Sequence, residues 1–495
     1  MPMTILAAIV LVVLIVSTCF AFMPTCISKA DDGIPEMEEG SLRVQILSDS
    51  VIRVEKARSD GTFCDDDTLQ VVGRGEFEGA DFKTSEVDGK LVITVGDYSL
   101  FVPKGATSHS GVYLTDKEGE TLWKYTGRED NSGELPSPST TPMVHVVNDS
   151  PRIIAPSWGY TDVGSEDPYN GYKIENNTKD LYIFIPEKNS KKLLSDYVAL
   201  TGRTNMLPLS ALGLWNSRYY RYTAETVKEQ VAEYEQYGVP LDNFVIDTDW
   251  NDASDVYENK VGGYGTGYGI DKECFPDMEG FLKWMHDNDL FVMFNDHPRM
   301  VDGTSQPFDP VDVKYRSEGL NSLLDIGADA WWYDRNWYVS ISSPTPELNK
   351  EVIGMYLYYY VTDQHYADIA KKNGDAYARR SLVMTNVDNI NNGVYYGIDS
   401  MASHRYGFQW TGDISASEKG LAQEIENVVK AGKNSLPYVS SDLGGHNGQP
   451  ATDLYIRWMQ YGALSPIYRT HSANSANYQR LPWLFGEQAL EVVRN

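Results

Sequence analysis

Positive charge is scarce in this sequence. It holds 42 Lys and Arg against 70 Asp and Glu, a net charge of −28. A nucleic-acid binder needs a basic footprint to displace counterions from phosphates, so that class is excluded. Cysteine is scarcer still: four residues, of which Cys19 and Cys26 fall in or beside an N-terminal apolar run. The other two, Cys64 and Cys274, lie in segments read below as different domains. They make no disulfide framework and read as two buried free thiols. No CxxC or HExxH pattern occurs, so zinc has no sequence signature and no metal is expected. Apolar and aromatic residues, by contrast, make up 42% and 12% of the chain, with 33 Tyr and 11 Trp. That is enough to bury a large core and excludes global disorder.

Thr4 to Met23 carry no charge and are mostly apolar, a run of about bilayer-spanning length. No Lys or Arg precedes it, and Ser28-Lys29-Ala30 offers a small-x-small cleavage site. Residues 1–30 therefore read as a signal peptide or, if uncleaved, a membrane anchor. Val16-Ser17-Thr18-Cys19 is a poor lipoprotein box. Every version exports the rest, so the expected location is secreted or cell-surface, with membrane contact only through this segment.

Residues 41–203 read as strands. SLRVQILSDSVIRVEKA alternates apolar and polar residues at period two, as a half-buried strand does. KLVITVGDYSLFVPK, GVYLTDKEGETLWKY and DLYIFIPE continue the pattern, with no amphipathic helix among them. An antiparallel β-sandwich is expected. Residues 127–151, rich in Ser, Pro, Thr and Asp, read as a surface loop. Asn148 and Asn176 sit in N-x-Ser/Thr sequons.

The pattern changes at 204. Short apolar strands now alternate with helical segments. ALGLW (211–215) precedes a helix capped by Thr223 and stopped by Gly238. FVID (244–247), LFVMFND (290–296), ADAWWYD (328–334), SLVMTN (381–386), FQWTGD (408–413) and LPYVSSD (436–442) follow. Seven strand candidates separated by helix or loop point to an α/β fold, a (β/α)8-type TIM barrel over 204–495. The last strand is missing from this count, so the barrel reads as incomplete at its C-terminal end. An open barrel would leave unpaired edges. On that ground the 495 residues alone are expected to be inactive or poorly soluble.

Asp247, Asp249, Asn251, Asp255 and Glu258 match EF-hand ligand positions, but Asp252 stands where the sharp turn needs Gly, and the segment follows a strand. Calcium is not expected there. Two other segments carry more weight: Trp331-Trp332-Tyr333-Asp334-Arg335-Asn336-Trp337, and Arg405 to Asp413 with Phe408 and Trp410 between. Each sets an Asp at a strand end amid aromatics. Retaining glycosidases need two carboxylates about 5–5.5 Å apart, one as nucleophile and one as acid/base. Aromatic walls stack on the C–H faces of sugars and raise the pKa of a proton-donating carboxyl. A helix-capping Asp and a core Trp would give the same local pattern.

From about Asp196 onward the chain resembles glycoside hydrolase family 31, the retaining α-glucosidase and α-xylosidase family. The resemblance is carried in order by ALGLWNSRYY, FVIDTDW, GIDKECFPDMEGFLKWMHDNDLFVMFNDHP, WWYDRNW, HRYGFQWTGD, SSDLGGH and RWMQYGALSPIYRTH. It implies a nucleophile at Asp334 and an acid/base at Asp413. It implies sugar binding by Asp247 and His471, aromatic walls at Trp332 and Trp410, and an aromatic near the same sugar at Tyr219. Asp442 matches a recurrent Asp in a Gly-rich turn. Two features depart from the family pattern. Thr385-Asn386-Val387 stands where many members have a substrate-binding Arg, so either Arg405 supplies the missing cation or Asn386 reads a different hydroxyl, and Arg335 follows the nucleophile where many have Met. Both touch the sugar-reading subsite, so they bear on the glycon more than on the reaction class.

The resemblance implies a retaining α-glycoside hydrolase, α-glucosidase-like, acting on α-linked oligosaccharides with no cofactor. Transglycosylation, or another glycon such as xylose, galactose or N-acetylgalactosamine, remains open. A carbohydrate-binding protein without catalysis is the reading from a different class. The pair Asp334 and Asp413 argues against it.

Overall fold

The computed structural model describes residues 27–29, 33–127, 144–150, 152–154, 172–175, 178–185, 190–252, 267–297, 310–334, 401–433, 435–475 and 478–495, with parts of 359–395. The apolar run Thr4 to Met23 and the sequon at Asn176 lie outside the described residues, as do Arg335, Asn336, Asn386, Asp255 and Glu258. No helix among the described residues is long and apolar enough to cross a membrane.

The N-terminal part is the expected antiparallel sandwich. One sheet orders Ile27–Lys29, Pro35–Glu39, Leu42–Ile46, Val51–Lys56, Asp180–Phe184 and His145–Asn148 side by side. The other is a five-strand meander from Lys83–Val87 to Thr121–Lys124. Period-two alternation drives the packing: Leu42, Val44, Ile46, Ile52 and Val54 meet Leu91, Ile93, Val95, Leu100 and Leu114 between the sheets. The alternate residues are not solvated, as half-buried strands would leave them. Arg43, Arg53, Glu55 and Asp180 are buried and paired. Arg53 donates to both Asp180 oxygens at 2.8 Å, and Glu55 accepts from Arg43 and Arg152 at 2.7 Å each. Such a network is tolerable only because each charge finds partners.

Four details depart from the sequence reading. The sheet starts upstream of residue 41, with Ile27–Lys29 and Pro35–Glu39. A strand, His145–Asn148, occupies part of the expected 127–151 loop. Its Asn148 is buried and accepts from the Asp180 amide at 3.0 Å, which hides that sequon. A helix, Ser190–Thr201, closes the domain. Its Leu193, Tyr197 and Leu200 pack on Val51, Tyr182 and Phe184 and reach Met401 of the barrel. Cys64 and Cys274 are both free and buried, as read.

Among the described residues the barrel has eight parallel strands. They are Leu214–Asn216, Asn243–Ile246, Phe291–Asp296, Ala330–Tyr333, Val383–Thr385, Phe408–Trp410, Val439–Ser440 and Tyr468–Thr470. The first seven are the seven sequence candidates. The eighth corrects the count: Tyr468–Thr470 pairs with the first strand in the register Leu214 to Tyr468. Bridges Ser440 to Ile467 and Leu443 to Thr470 join it to the seventh strand, so the ring closes where an open edge was expected. Alternation sorts neighbours to opposite faces. Trp332 joins Trp215, Met293, Met384 and Trp410 inside the barrel, while Trp331 faces the surrounding helices with Phe244, Phe294 and Val383. The helix Ala224–Gln236 starts at the Thr223 capping box, and Gly238, at φ +60, stops it.

Candidate active site

The chemistry-bearing side chains sit just past the C-terminal ends of the barrel strands, where backbone leaves the sheet and polar groups can converge. Asp247 follows the second strand, His297 the third, Asp334 the fourth and His471 the eighth. Asp413 lies three residues past the sixth, beyond Gly412 at φ +83. These five, with Tyr219, Thr248, Trp332 and His446, line one cavity open to solvent.

Asp334 is almost fully buried. Its Oδ2 accepts from Asn295 Nδ2 at 2.9 Å and from His297 Nε2 at 2.7 Å. Burial works against a charge on His297. The Asp334 carboxylate, by charge and by hydrogen bond, nonetheless holds the imidazole above its ordinary range, with Asp247 and Asp296 adding to it. Asp247 caps the turn Thr248–Trp250, accepting from the Thr248 amide at 2.7 Å. Burial, then the nearby Asp334 charge, pushes its carboxyl up to about 7.

His471 is the opposite case to His297. Burial, then the charges of Arg469, His446 and Arg480, hold it well below the usual range, so it is neutral. Its Nε2 lies 4.0 Å from Asp247 Oδ2 and has no hydrogen-bond partner among the described residues. The two atoms face each other across the cavity as a potential donor–acceptor pair. Asp413 is a fifth exposed, and His446 Nδ1 stands 3.3 Å from its Oδ1. Trp332 gives the cavity a flat apolar wall and meets His471 edge-on at 5.2 Å.

Three of the expected substrate contacts are elsewhere. Trp410 stands behind Trp332, edge-on at 4.8 Å, with its Nε1 donating to Asp442 Oδ1 at 2.8 Å. Asp442 is fully buried and ion-paired with Arg469, so it braces the wall rather than touching the cavity. Arg405 points away altogether. The short turn Ser403–Arg405, entered through Ala402 at φ +69, directs its guanidinium at the sandwich. There it donates to the Thr201 carbonyl at 2.8 Å and the Leu69 carbonyl at 3.1 Å. It ties the domains together and leaves the cavity without its charge.

Sequence reasoning missed His297 and His446. Both stand inside segments that carry the family resemblance, His297 near the end of the one closing in DHP and His446 as the last residue of SSDLGGH, and neither was singled out there. The available signal was position: His297 directly follows the apolar run of the third strand, and His446 follows the Gly-Gly turn after the seventh. Asp442, His446 and His471 also bring three potential metal-ligand atoms within 4.8 Å. The two imidazoles stack, centroids 5.1 Å and planes 28° apart, so their in-plane lone pairs do not converge on one point. Arg469 further occupies Asp442. The trio is a poor cation cage.

The profile of the glycosyl hydrolases family 31 TIM-barrel domain matches residues 204–317 and 309–495, more than half of the chain. The chain belongs to glycoside hydrolase family 31. Its similarity to an alpha-xylosidase of Emericella nidulans is 22% identity over 349 residues, 63% of this chain and 42% of that protein. A probable glucan 1,3-alpha-glucosidase of rice is 23% identical over 386 residues, 69% of this chain and 40% of that one. The chain thus spans about two fifths of the length of these curated relatives. Among solved structures, a Flavobacterium johnsoniae family 31 dextranase complexed with glucose superposes with a TM-score of 0.64 at 16% identity, over 93% of this chain and 66% of that one. That likeness confirms the family 31 fold: a parallel eight-strand barrel behind an antiparallel sandwich.

Proposed function

We propose that this family 31 chain is a retaining α-glycosidase, α-glucosidase-like, acting on α-linked oligosaccharides. The observation that carries this reading is the placement of Asp334 and Asp413 on one cavity beside the Asp247–His471 pair. Asp334 attacks the anomeric carbon. The glycosidic bond breaks as Asp413 gives its proton to the leaving oxygen, and a covalent β-glycosyl ester forms. Asp413, now a carboxylate, takes a proton from water as that water attacks the same carbon, and Asp334 leaves with its electron pair. His297 and Asn295, both donating to Oδ2, orient the carboxylate of Asp334 and stabilise it as it departs. Trp332 walls the sugar, and Asp247 with His471 grips a hydroxyl. These carboxylates run both steps without a cofactor.

The similarity to an alpha-xylosidase and a probable glucan 1,3-alpha-glucosidase supports α-linked substrates. The test is hydrolysis of aryl α-glycosides of glucose, xylose, galactose and N-acetylgalactosamine, with Asp334→Ala as control. Proton NMR of the first-formed sugar reads the stereochemistry. Activity on one glycon with an α product first is expected. An initially β product refutes the double displacement, and sugar binding without turnover by the wild type refutes the enzyme reading.

The uncharged run Thr4 to Met23 supports export, to the medium or held at the cell surface. Fractionation of cells expressing the chain tests this; a wholly cytoplasmic product overturns it.

A further inference from the structure

We infer that Ser217 is a positioning residue that sets the tautomer of His471, and so decides that the sugar meets an N–H donor at Nε2. The inference rests on the reading above that His471 touches the sugar, but its logic is one of donors and acceptors alone.

Ser217 follows the first barrel strand and His471 the eighth. The register that pairs Asn216 with Thr470 carries the two side by side. Ser217 Oγ lies 2.6 Å from His471 Nδ1. It also accepts from Arg469 Nη1 at 3.3 Å. All three side chains are buried, Arg469 and His471 completely. Arg469 is itself fixed, with Nε donating to Ser440 Oγ at 2.9 Å and an ion pair to Asp442.

A guanidinium can only donate, so toward Arg469 the Ser217 oxygen must be an acceptor. The hydroxyl proton then needs an acceptor of its own. Among the described residues, His471 Nδ1 is the one other hydrogen-bond partner of Ser217 Oγ. A proton on Nδ1 would leave the buried hydroxyl proton unpaired, which is costly. Ser217 therefore donates to a bare Nδ1, and the single proton of the neutral imidazole sits on Nε2.

The consequence lies at the cavity. Nε2–H stands 4.0 Å from Asp247 Oδ2, a donor beside an acceptor. One sugar hydroxyl can accept from the first and donate to the second. The other tautomer would put two acceptors there, and one hydroxyl proton cannot serve both. Discrimination against a deoxy sugar at this position thus depends on Ser217, which need not touch the sugar.

The experiment is nitrogen NMR of the full chain labelled with 15N-histidine, using His471→Asn to assign the signals. The wild type is expected to show a bare Nδ1 and a protonated Nε2 at His471. Ser217→Ala should mix in the Nδ1–H tautomer and lower kcat/KM by about tenfold, the scale of one neutral hydrogen bond. Ser217→Thr, which keeps the hydroxyl, should restore the wild-type nitrogen pattern. A protonated Nδ1 in the wild type, or an unchanged tautomer in Ser217→Ala, overturns the proposal. If the tautomer behaves as expected while no α-glycoside is hydrolysed, the relay stands and the functional reading alone falls.

Discussion

Removing His297 should change how this protein responds to pH before it changes anything else. Its Nε2 donates to Asp334 Oδ2 at 2.7 Å, both groups are almost fully buried, and the carboxylate favours the charged form of the imidazole. A hydrogen bond to a charged group is worth about 1.5–3 kcal/mol. At about 1.36 kcal/mol per pKa unit, losing it moves the protonation of Asp334 up by about one to two units. Breaking a buried ion pair can cost more, about 3–5 kcal/mol, but here the stranded carboxylate can simply take up a proton. Asn295 Nδ2, at 2.9 Å, still orients it. The expected result for His297→Ala is an acidic limb of kcat/KM displaced upward by about one to two units, with a roughly 10- to 100-fold loss on that limb and recovery at higher pH. His297→Gln keeps an amide donor at similar reach without the charge and should shift the limb by about half as much. Because the Asp334 charge also acts on Asp247, the limb belongs to the pair and the shift is read against wild type. The assay is kcat/KM for an aryl α-glycoside between pH 4 and 9. A limb that stays in place in both variants, with activity lost evenly at all pH values, would refute the reasoning.

Asp413→Ala should lower kcat/KM by about 10²–10⁴-fold for alkyl glycosides and far less for a dinitrophenyl leaving group, because that group needs no proton. Equal loss for both kinds of substrate would remove Asp413 from the acid role. Glu424, buried under the sixth and seventh strands and bonded to Thr411 and Asn427, has its carboxyl pushed up to about 7, by burial first. Its contribution to stability is therefore full below about pH 4.3 and is lost as pH rises through about 7, a change of about 3 kcal/mol. Urea denaturation of Glu424→Gln against wild type across that window should show the difference, and parallel curves would argue against it. Arg405→Ala removes donors from two buried carbonyls at the domain junction, so it should cost about 1–3 kcal/mol in thermal unfolding and leave KM unchanged. A raised KM with an unchanged melting temperature would return Arg405 to the sugar site.

What the sequence determined by itself was the local part of the fold and six of the residues that line the cavity. Seven barrel strands were legible because buried parallel strands are short apolar runs, and seven of the eleven strands in the two sandwich sheets were legible from their apolar patterning. Asp334, Asp413, Asp247, Tyr219, Trp332 and His471 were legible through their ordered family segments, and the fold brings all six to one cavity. The eighth strand was not legible. Tyr468–Thr470 is three residues long and carries a buried Arg, because its side chains serve the polar network under the site rather than the core. Direction of side chains was decided only in three dimensions. A left-handed residue at Ala402 turns Arg405 to the sandwich, although it stands eight residues before Asp413 in sequence. Strand alternation and ring closure put Trp410 and Asp442 behind the wall, and brought His297 against Asp334 and Ser217 against His471 from strands far apart in the chain. Spacing along a chain reports which residues share a face. Which charge neutralises which, and which proton points into the cavity, depends on contacts between distant strands, and those exist only once the barrel has closed.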